Sequence, residues 1–233
     1  MNPLKSISRR TKQTIQRLYL PEKIQAQYPL EFHGSDYGGW TIFPHSISAE
    51  SIAYSFGVGE DISFDLSLIE KYGLQIYAFD PTPRSIDWVK SQVLPPQFHL
   101  FDYGIAAQDG IVNFYPPENR DCISHTMLNR TTTADRAIQV QMRRLTTITK
   151  MLGHHKIDIL KMDIEGAEYA VIEDILKAND LNIPQILIEF HHRFKGIGPA
   201  KTRTAIKLLN HHGYQVFHIA PSGLEYSFIK KTG

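Results

Sequence analysis

A single cysteine, Cys122, stands among 233 residues. One thiol cannot build an internal disulfide framework, and it suits a reducing compartment. No stretch approaches the ~20 consecutive apolar residues that a membrane span requires, and the first residues lack the apolar segment of a secretory leader. A soluble, cytoplasmic protein is therefore expected. A dominant charge sign is missing too: 25 Lys and Arg face 24 Asp and Glu. No whole-chain field draws the protein towards nucleic acid or another polyanion. The chain also lacks the phosphate loop G-x-x-x-x-G-K-[ST] and the full dinucleotide fingerprint G-x-G-x-x-G, whose third glycine is replaced by Ile62. These absences disfavour ATP or GTP hydrolysis.

What is present is an α/β pattern without repeats or low-complexity tracts. The length suits one domain with a full core or two small ones. Basic residues crowd the start, where Lys5, Arg9, Arg10, Lys12, Arg17 and Lys23 meet only Glu22. Residues 4–20 place Leu4, Ile7, Thr11, Ile15 and Leu18 on one side of a helix. Its expected role is to dock on the domain surface; a weak peripheral contact with anionic lipid is the alternative. We read 1–28 as this basic extension and 29–233 as the domain proper. A Gly- and aromatic-rich lead-in then holds a short strand near 40–43.

From Ser51 onward, apolar strand runs alternate with helical spacings. "SIAYSF", "LQIYAFD", "FHLFDYGIA", "IDILKMD" and "QILIEF" read as buried strands, and "AIQVQMRRL" as a strand with one exposed face. "DGIVNFYPP" has the turn signal of a hairpin. Helices are expected over the spacings that end at Gly73, follow Thr82 and Pro83, and begin near 145, 167 and 199. A hairpin through Pro221, Ser222 and Gly223 closes the chain. Such alternation predicts a mostly parallel sheet covered on both faces, with ligands bound outside the carboxyl ends of its strands.

Candidate site residues cluster at those strand ends. Gly57 and Gly59 in "SFGVGED" allow close backbone approach of a ligand at a strand-to-helix turn. Asp80 ends the next strand, where a carboxylate grips vicinal ribose hydroxyls; otherwise it merely starts a turn before Pro81. Asp102, late in the third strand, or the neighbouring backbone is placed near the adenine of a bound nucleotide. Asp163 ends the fourth strand, with Glu165 and Glu168 following; Glu168 falls in a first helical turn, where the helix dipole favours a carboxylate. His191 and His192 follow the fifth strand. A histidine suits the role of general base for a hydroxyl, the alternative being a solvated loop. His154, His155, His211 and His212 read as structural, and Cys122 has no triad partner.

The glycine turn, the acidic strand end, "LKMDIEGAEYAVI" and "ILIEFHHRF", in that order, resemble the FkbM family of S-adenosylmethionine-dependent methyltransferases. The resemblance runs from about residue 40 to the end, and D-x-E-G-A-E over 163–168 is its most specific element. It implies a seven-stranded Rossmann-like methyltransferase fold, with S-adenosylmethionine over the first two strand ends and S-adenosylhomocysteine as product. It also implies O-methylation of a sugar, glycan or secondary metabolite. That family's first strand usually ends D-x-G, its acid facing the donor's amino group. Ser55 stands there instead, so either Ser55 with Glu60 or Asp61 substitutes, or the donor is held more weakly.

The acceptor pocket is expected from 29–45, 117–136 and 191–199. A divalent ion held by Asp163, Glu189 and His191 is conceivable on donor chemistry, but the spacing is no closed ligand motif and a metal-free route is preferred. An NAD(P) oxidoreductase, a non-catalytic binding relative and a nucleic-acid methyltransferase are the competing classes. The last would want a strong basic groove, and the [ND]-P-P-[YF] signature of amino methyltransferases is missing.

Overall fold

A computed structural model describes residues 23–118, 125–128, 131–178, 181–194 and 196–231. The expected helix over 4–20, Cys122 and part of the 117–136 loop lie outside the described residues.

In chain order the strands are β1 (Glu31–His33), β2 (Trp40–Ile42), β3 (Ile52–Phe56), β4 (Gln75–Phe79), β5 (Phe98–Phe101), β6 (Gly104–Ile105), β7 (Gly110–Phe114), β8 (Ile138–Arg143), β9 (Ile159–Met162), β10 (Gln185–Glu189), β11 (Tyr214–Ile219) and β12 (Glu225–Lys230). The α-helices are α1 (Ser63–Tyr72), α2 (Pro83–Lys90), α3 (Leu145–Leu152), α4 (Glu168–Ala178) and α5 (Pro199–His211). Apolar runs of four or five residues become the central strands because both faces of each are covered. All four residues of β9 are buried. The seven-stranded sheet has the order β11-β12-β10-β9-β3-β4-β5, parallel except for β12, which runs antiparallel to both its neighbours.

Strand alternation divides the core between the two faces. Tyr54, Phe56, Phe79, Leu160, Met162, Ile186, Ile188 and Phe228 pack with buried residues of α3, α4 and α5. Ala53, Ile76, Ala78, Ile159 and Leu187 pack with α1, Val89 of α2, and Trp40 and Ile42 of β2. At ~25 cal/mol per Å², burying each large side chain contributes about 1.5–3 kcal/mol, so each layer is held by a dozen or more such residues. Helix α1 stops at Gly73, whose φ of 70° supplies the left-handed cap and whose N–H donates to the Ile69 carbonyl at 2.8 Å.

Two expectations are modified. "DGIVNFYPP" forms β7 but no local hairpin: β6 and β7 each pair with β8, giving a separate three-stranded sheet. The lead-in holds two strands, not one, since β1 pairs antiparallel with β2. Thr82 takes the N-cap position of α2 with Pro83 behind it, but makes no side-chain cap bond. Its own N–H is instead held by Asp80 Oδ1 at 2.8 Å.

The N-terminal segment is tied to distant parts of the chain. Gln25 and Ala26 donate to the Val216 carbonyl at 2.7 and 3.2 Å. Phe43 exchanges hydrogen bonds with the Gln185 amide, and Ser227 Oγ donates to the Thr41 carbonyl. Among the described residues no helix is long and apolar enough to cross a membrane.

Candidate active site

Strand order reverses between β3 and β9, and here a cleft of about 390 Å³ opens beyond the strand ends. This is the topological switch point, where open α/β sheets bind ligands. Gly57, Gly59, Asp61, Asp80 and Asp163 line it, with Asp36–Trp40 in front and Gly104, Phe114, His125 and Met142 on the far side.

The chain crosses itself tightly at Gly57. Its φ is +78°, and a Cβ there would lie 1.7 Å from the Asp163 carbonyl oxygen. Only glycine fits, because both the conformation and the space exclude a side chain. Gly59, at φ +58°, donates its N–H to Asp80 Oδ2 at 3.0 Å. Asp80 therefore ties the glycine turn to the start of α2 with one backbone bond on each carboxylate oxygen, and it is 5 % exposed. Each oxygen retains a lone pair for a ligand hydroxyl.

Asp61 accepts from Ser35 Oγ at 2.6 Å and from the Ser63 N–H at 2.8 Å, fixing residues 35–39 over the start of α1. Burial pushes its pKa up, but the Ser35 and Ser63 hydrogen bonds outweigh that and hold the pKa below the usual value. Glu60, also in the lining, pairs with Arg84 at 2.6 Å.

Ser55 is elsewhere. It is 1 % exposed, faces the α1 side of the sheet and is absent from the cleft lining. Its hydroxyl lies beside Asp65, close but not aligned for a full hydrogen bond. Its register partner Lys161 is also buried and donates to the Gly57 carbonyl at 2.9 Å. Asp65 thus brings an acid from α1 into the sheet beneath the glycine turn, a contribution the sequence reading missed. The available signal was a lysine inside an apolar strand, which has to be paired when buried. Asp102 is exposed and lies outside the lining.

Burial raises the Asp65 carboxyl to about 6, against the opposing pull of Lys161 and Ser55. A carboxyl with a raised folded-state pKa stabilises the fold below its unfolded value near 3.9, and that stability is lost as pH rises through the folded value. Asp65→Asn removes this titration. Its stability relative to wild type is expected to climb between about pH 4 and 7, by as much as ~3 kcal/mol. Urea unfolding at both ends of that range measures the gap, and a constant gap would refute the assignment.

At the other lip, the turn after β9 and the loop after β10 meet around His191. Its Nε2 lies 3.6 Å from Asp163 Oδ1, 3.5 Å from Glu165 Oε2 and 3.9 Å from Glu189 Oε1. Its Nδ1 lies 3.4 Å from Glu168 Oε1 without hydrogen-bond alignment. Glu168 is fully buried and accepts the N–H groups of Gly166 at 2.9 Å and His191 at 2.8 Å. It therefore joins the two loops. Glu165 adopts φ +52°, turning the chain into α4.

Burial alone would lower the His191 pKa; Glu168, Asp163 and Glu165 override it and raise it to about 10. Glu189 is raised as well, by burial and then by Asp163, with His191 pulling the other way. At neutral pH this cluster holds a proton. His192 is half-buried, lies outside the lining and has a lowered pKa, from burial first and then from Arg193 and His191. Glu225, opposite Glu189 on β12, adds a further carboxylate to the cleft.

A seven-stranded sheet with one inverted strand, a glycine turn and an acidic second-strand end at its switch point defines a Rossmann-like methyltransferase fold. Residues 34–216 match the Methyltransferase FkbM domain, and the chain belongs to that family. It is 27% identical over 180 residues to the probable methyltransferase-like protein 24 of Rattus norvegicus, covering 71% of this chain but 42% of that one. It is also 27% identical over 112 residues to the 2-O-methyltransferase NoeI of Sinorhizobium fredii, covering 42% of this chain and 46% of that one. The chain thus spans less than half the length of these curated relatives. The crystal structure of methyltransferase FkbM from Methylobacillus flagellatus superposes with a TM-score of 0.51 at 13% identity, over 78% of this chain and 44% of that chain, a likeness of fold.

Proposed function

We propose that the protein is an S-adenosylmethionine-dependent O-methyltransferase acting on a hydroxyl of a sugar, glycan or secondary metabolite. The observation that carries this reading is the switch-point cleft, where Gly57, Gly59 and Asp80 form one hydrogen-bonded turn in a lining that holds seven further carboxylates. The sulfonium donor is cationic, and an acidic cleft attracts it while repelling nucleic acid. In this reading the Asp80 carboxylate takes the ribose hydroxyls and Asp61 faces the donor's amino group, the role the family usually gives to the residue at position 55. Asp102 is kept in the reading only through its neighbouring backbone, near Gly104. The name of the NoeI relative supports oxygen as the receiving atom.

Transfer needs in-line approach of the hydroxyl oxygen to the methyl carbon. The C–S bond breaks with its electron pair left on sulfur, giving neutral S-adenosylhomocysteine. The C–O bond forms, and the hydroxyl proton passes to a base. Asp163 is that acceptor here, since its side chain is 33% exposed at the cleft. His191 is a positioning residue: already protonated, it holds the Asp163 carboxylate in place. His192 stands outside the cleft lining with its pKa lowered by burial, so it is given no direct part in the proton transfer.

Calorimetric titration with S-adenosylhomocysteine and with NADH separates this reading from an oxidoreductase. Asp80→Ala is expected to weaken S-adenosylhomocysteine binding roughly 10–150-fold, the loss of about 1.5–3 kcal/mol from a charge-assisted hydroxyl contact. The melting temperature is followed in parallel, because Asp80 also braces the glycine turn. Unchanged affinity would remove Asp80 from the site. A labelled-methyl screen of cell extract fractions identifies the acceptor, and label appearing chiefly in nucleic acid would overturn the acceptor class.

A further inference from the structure

Asp163, Glu189 and His191 come from the end of β9, the end of β10 and the residue pair just beyond it. Each offers one ligand atom, and these atoms all lie within 4.8 Å of one another. A first-row divalent ion about 2.1 Å from each ligand requires ligand separations of roughly 3.0–4.2 Å. The separations of 3.6 Å from His191 Nε2 to Asp163 and 3.9 Å to Glu189 already fall in that range.

Carboxylates gathered together are common without a metal, so the state of the individual atoms decides. Asp163 Oδ1 is buried and has no hydrogen-bond partner. His191 is 7% exposed, its ring makes no aligned hydrogen bond through Nδ1, and its Nε2 is aimed into the carboxylates. Polar atoms removed from water without a partner cost several kcal/mol. Among the described residues no lysine or arginine is paired with these carboxylates. Lys161, the basic residue in the cleft lining, is bonded to the Gly57 carbonyl.

We infer that Asp163, Glu189 and His191 form a site for a first-row divalent cation, with its remaining coordination positions open to the cleft. One imidazole and two carboxylates favour Mn²⁺ or a similar ion over Ca²⁺ and Mg²⁺, which take all-oxygen sets. The sequence offers these three as donors without a closed ligand motif; folding brings their ligand atoms together from two strand ends and a loop. The inference deepens the proposed methyl transfer and rests on it for its role. An ion there would displace the proton that His191 otherwise carries, since an imidazole ligates only when neutral, and would bind the acceptor hydroxyl oxygen and ease loss of its proton.

The test titrates Mn²⁺ into the full chain and follows loss of the free-ion signal by electron paramagnetic resonance. S-adenosylhomocysteine binding is measured on the same samples. One saturable Mn²⁺ site is expected, weakened roughly tenfold or more by Glu189→Gln and by His191→Ala. Glu189→Gln keeps shape, so it still reports if His191→Ala fails to fold. No saturable Mn²⁺ binding in protein that binds S-adenosylhomocysteine overturns the cation site alone. Saturable Mn²⁺ without S-adenosylhomocysteine binding supports the site and defeats the donor reading. Binding indifferent to both substitutions also overturns it.

Discussion

Gly57→Ala is expected to destabilise the fold by about 3–5 kcal/mol and to abolish measurable S-adenosylhomocysteine binding. A left-handed conformation costs an L-residue about 1–2 kcal/mol. The greater part comes from the Asp163 carbonyl, 1.7 Å from the new methyl carbon, which can yield only by moving the backbone between β3 and β9. Gly73→Ala is the matched control. Its φ is +70°, but its nearest obstruction is Ala49 Cβ at 3.7 Å, so only the conformational cost of about 1 kcal/mol is expected, with donor affinity intact. Thermal unfolding and calorimetry on the two variants decide. If Gly57→Ala behaves like Gly73→Ala, the tight crossing is not what shapes the donor turn.

Asp163→Asn should lower turnover roughly 10²–10⁴-fold, the span attributed to a positioned acid or base, with S-adenosylhomocysteine affinity within about threefold of wild type. The amide preserves the side chain's shape and leaves the backbone bond from Asp163 to the Phe56 carbonyl at 3.0 Å. It removes the charge that faces the acceptor. Labelled-methyl transfer to the acceptor found by screening gives the rate. Wild-type turnover in Asp163→Asn would exclude Asp163 from proton transfer and from holding a catalytic ion.

The parallel core was legible because β3, β4, β5, β9 and β10 are apolar runs separated by helical spacings. The small sheet was less so. β6 is two residues long, and its partner β8 lies more than thirty residues away, so no local pattern records the pairing. Turn chemistry at Asp109 and Gly110 pointed to a hairpin, but tertiary pairing prevailed. At the site, Gly57, Gly59, Asp80 and Asp163 were readable from their places at strand ends. Ser55 was placed by analogy with an acid two residues before the glycine. The two-residue period of β3 turns it onto the same face as Lys161, under α1. Nothing in sequence separation says that Asp65 reaches it, or that His191 is ringed by carboxylates from three segments. Those facts belong to the crossing of chains, not to any one run.

The ties between residues 25–43 and the last two strands also set a timetable for synthesis. Ser227, bonded to the Thr41 carbonyl, and Val216, bonded to Gln25 and Ala26, are made long after the segment they hold. Closing loops of this length delays a contact until most of the chain is available. While β3, β4 and α1 leave the ribosome, the segment that fronts the cleft has Asp61, Ser63 and the apolar face of α1 to rest on, but not yet β11 and β12. A nascent chain can therefore shape its glycine turn early yet cannot secure the front wall until β11 and β12 arrive. Competence to hold a ligand waits until β11 and β12 have been made and meet the segment at 25–43.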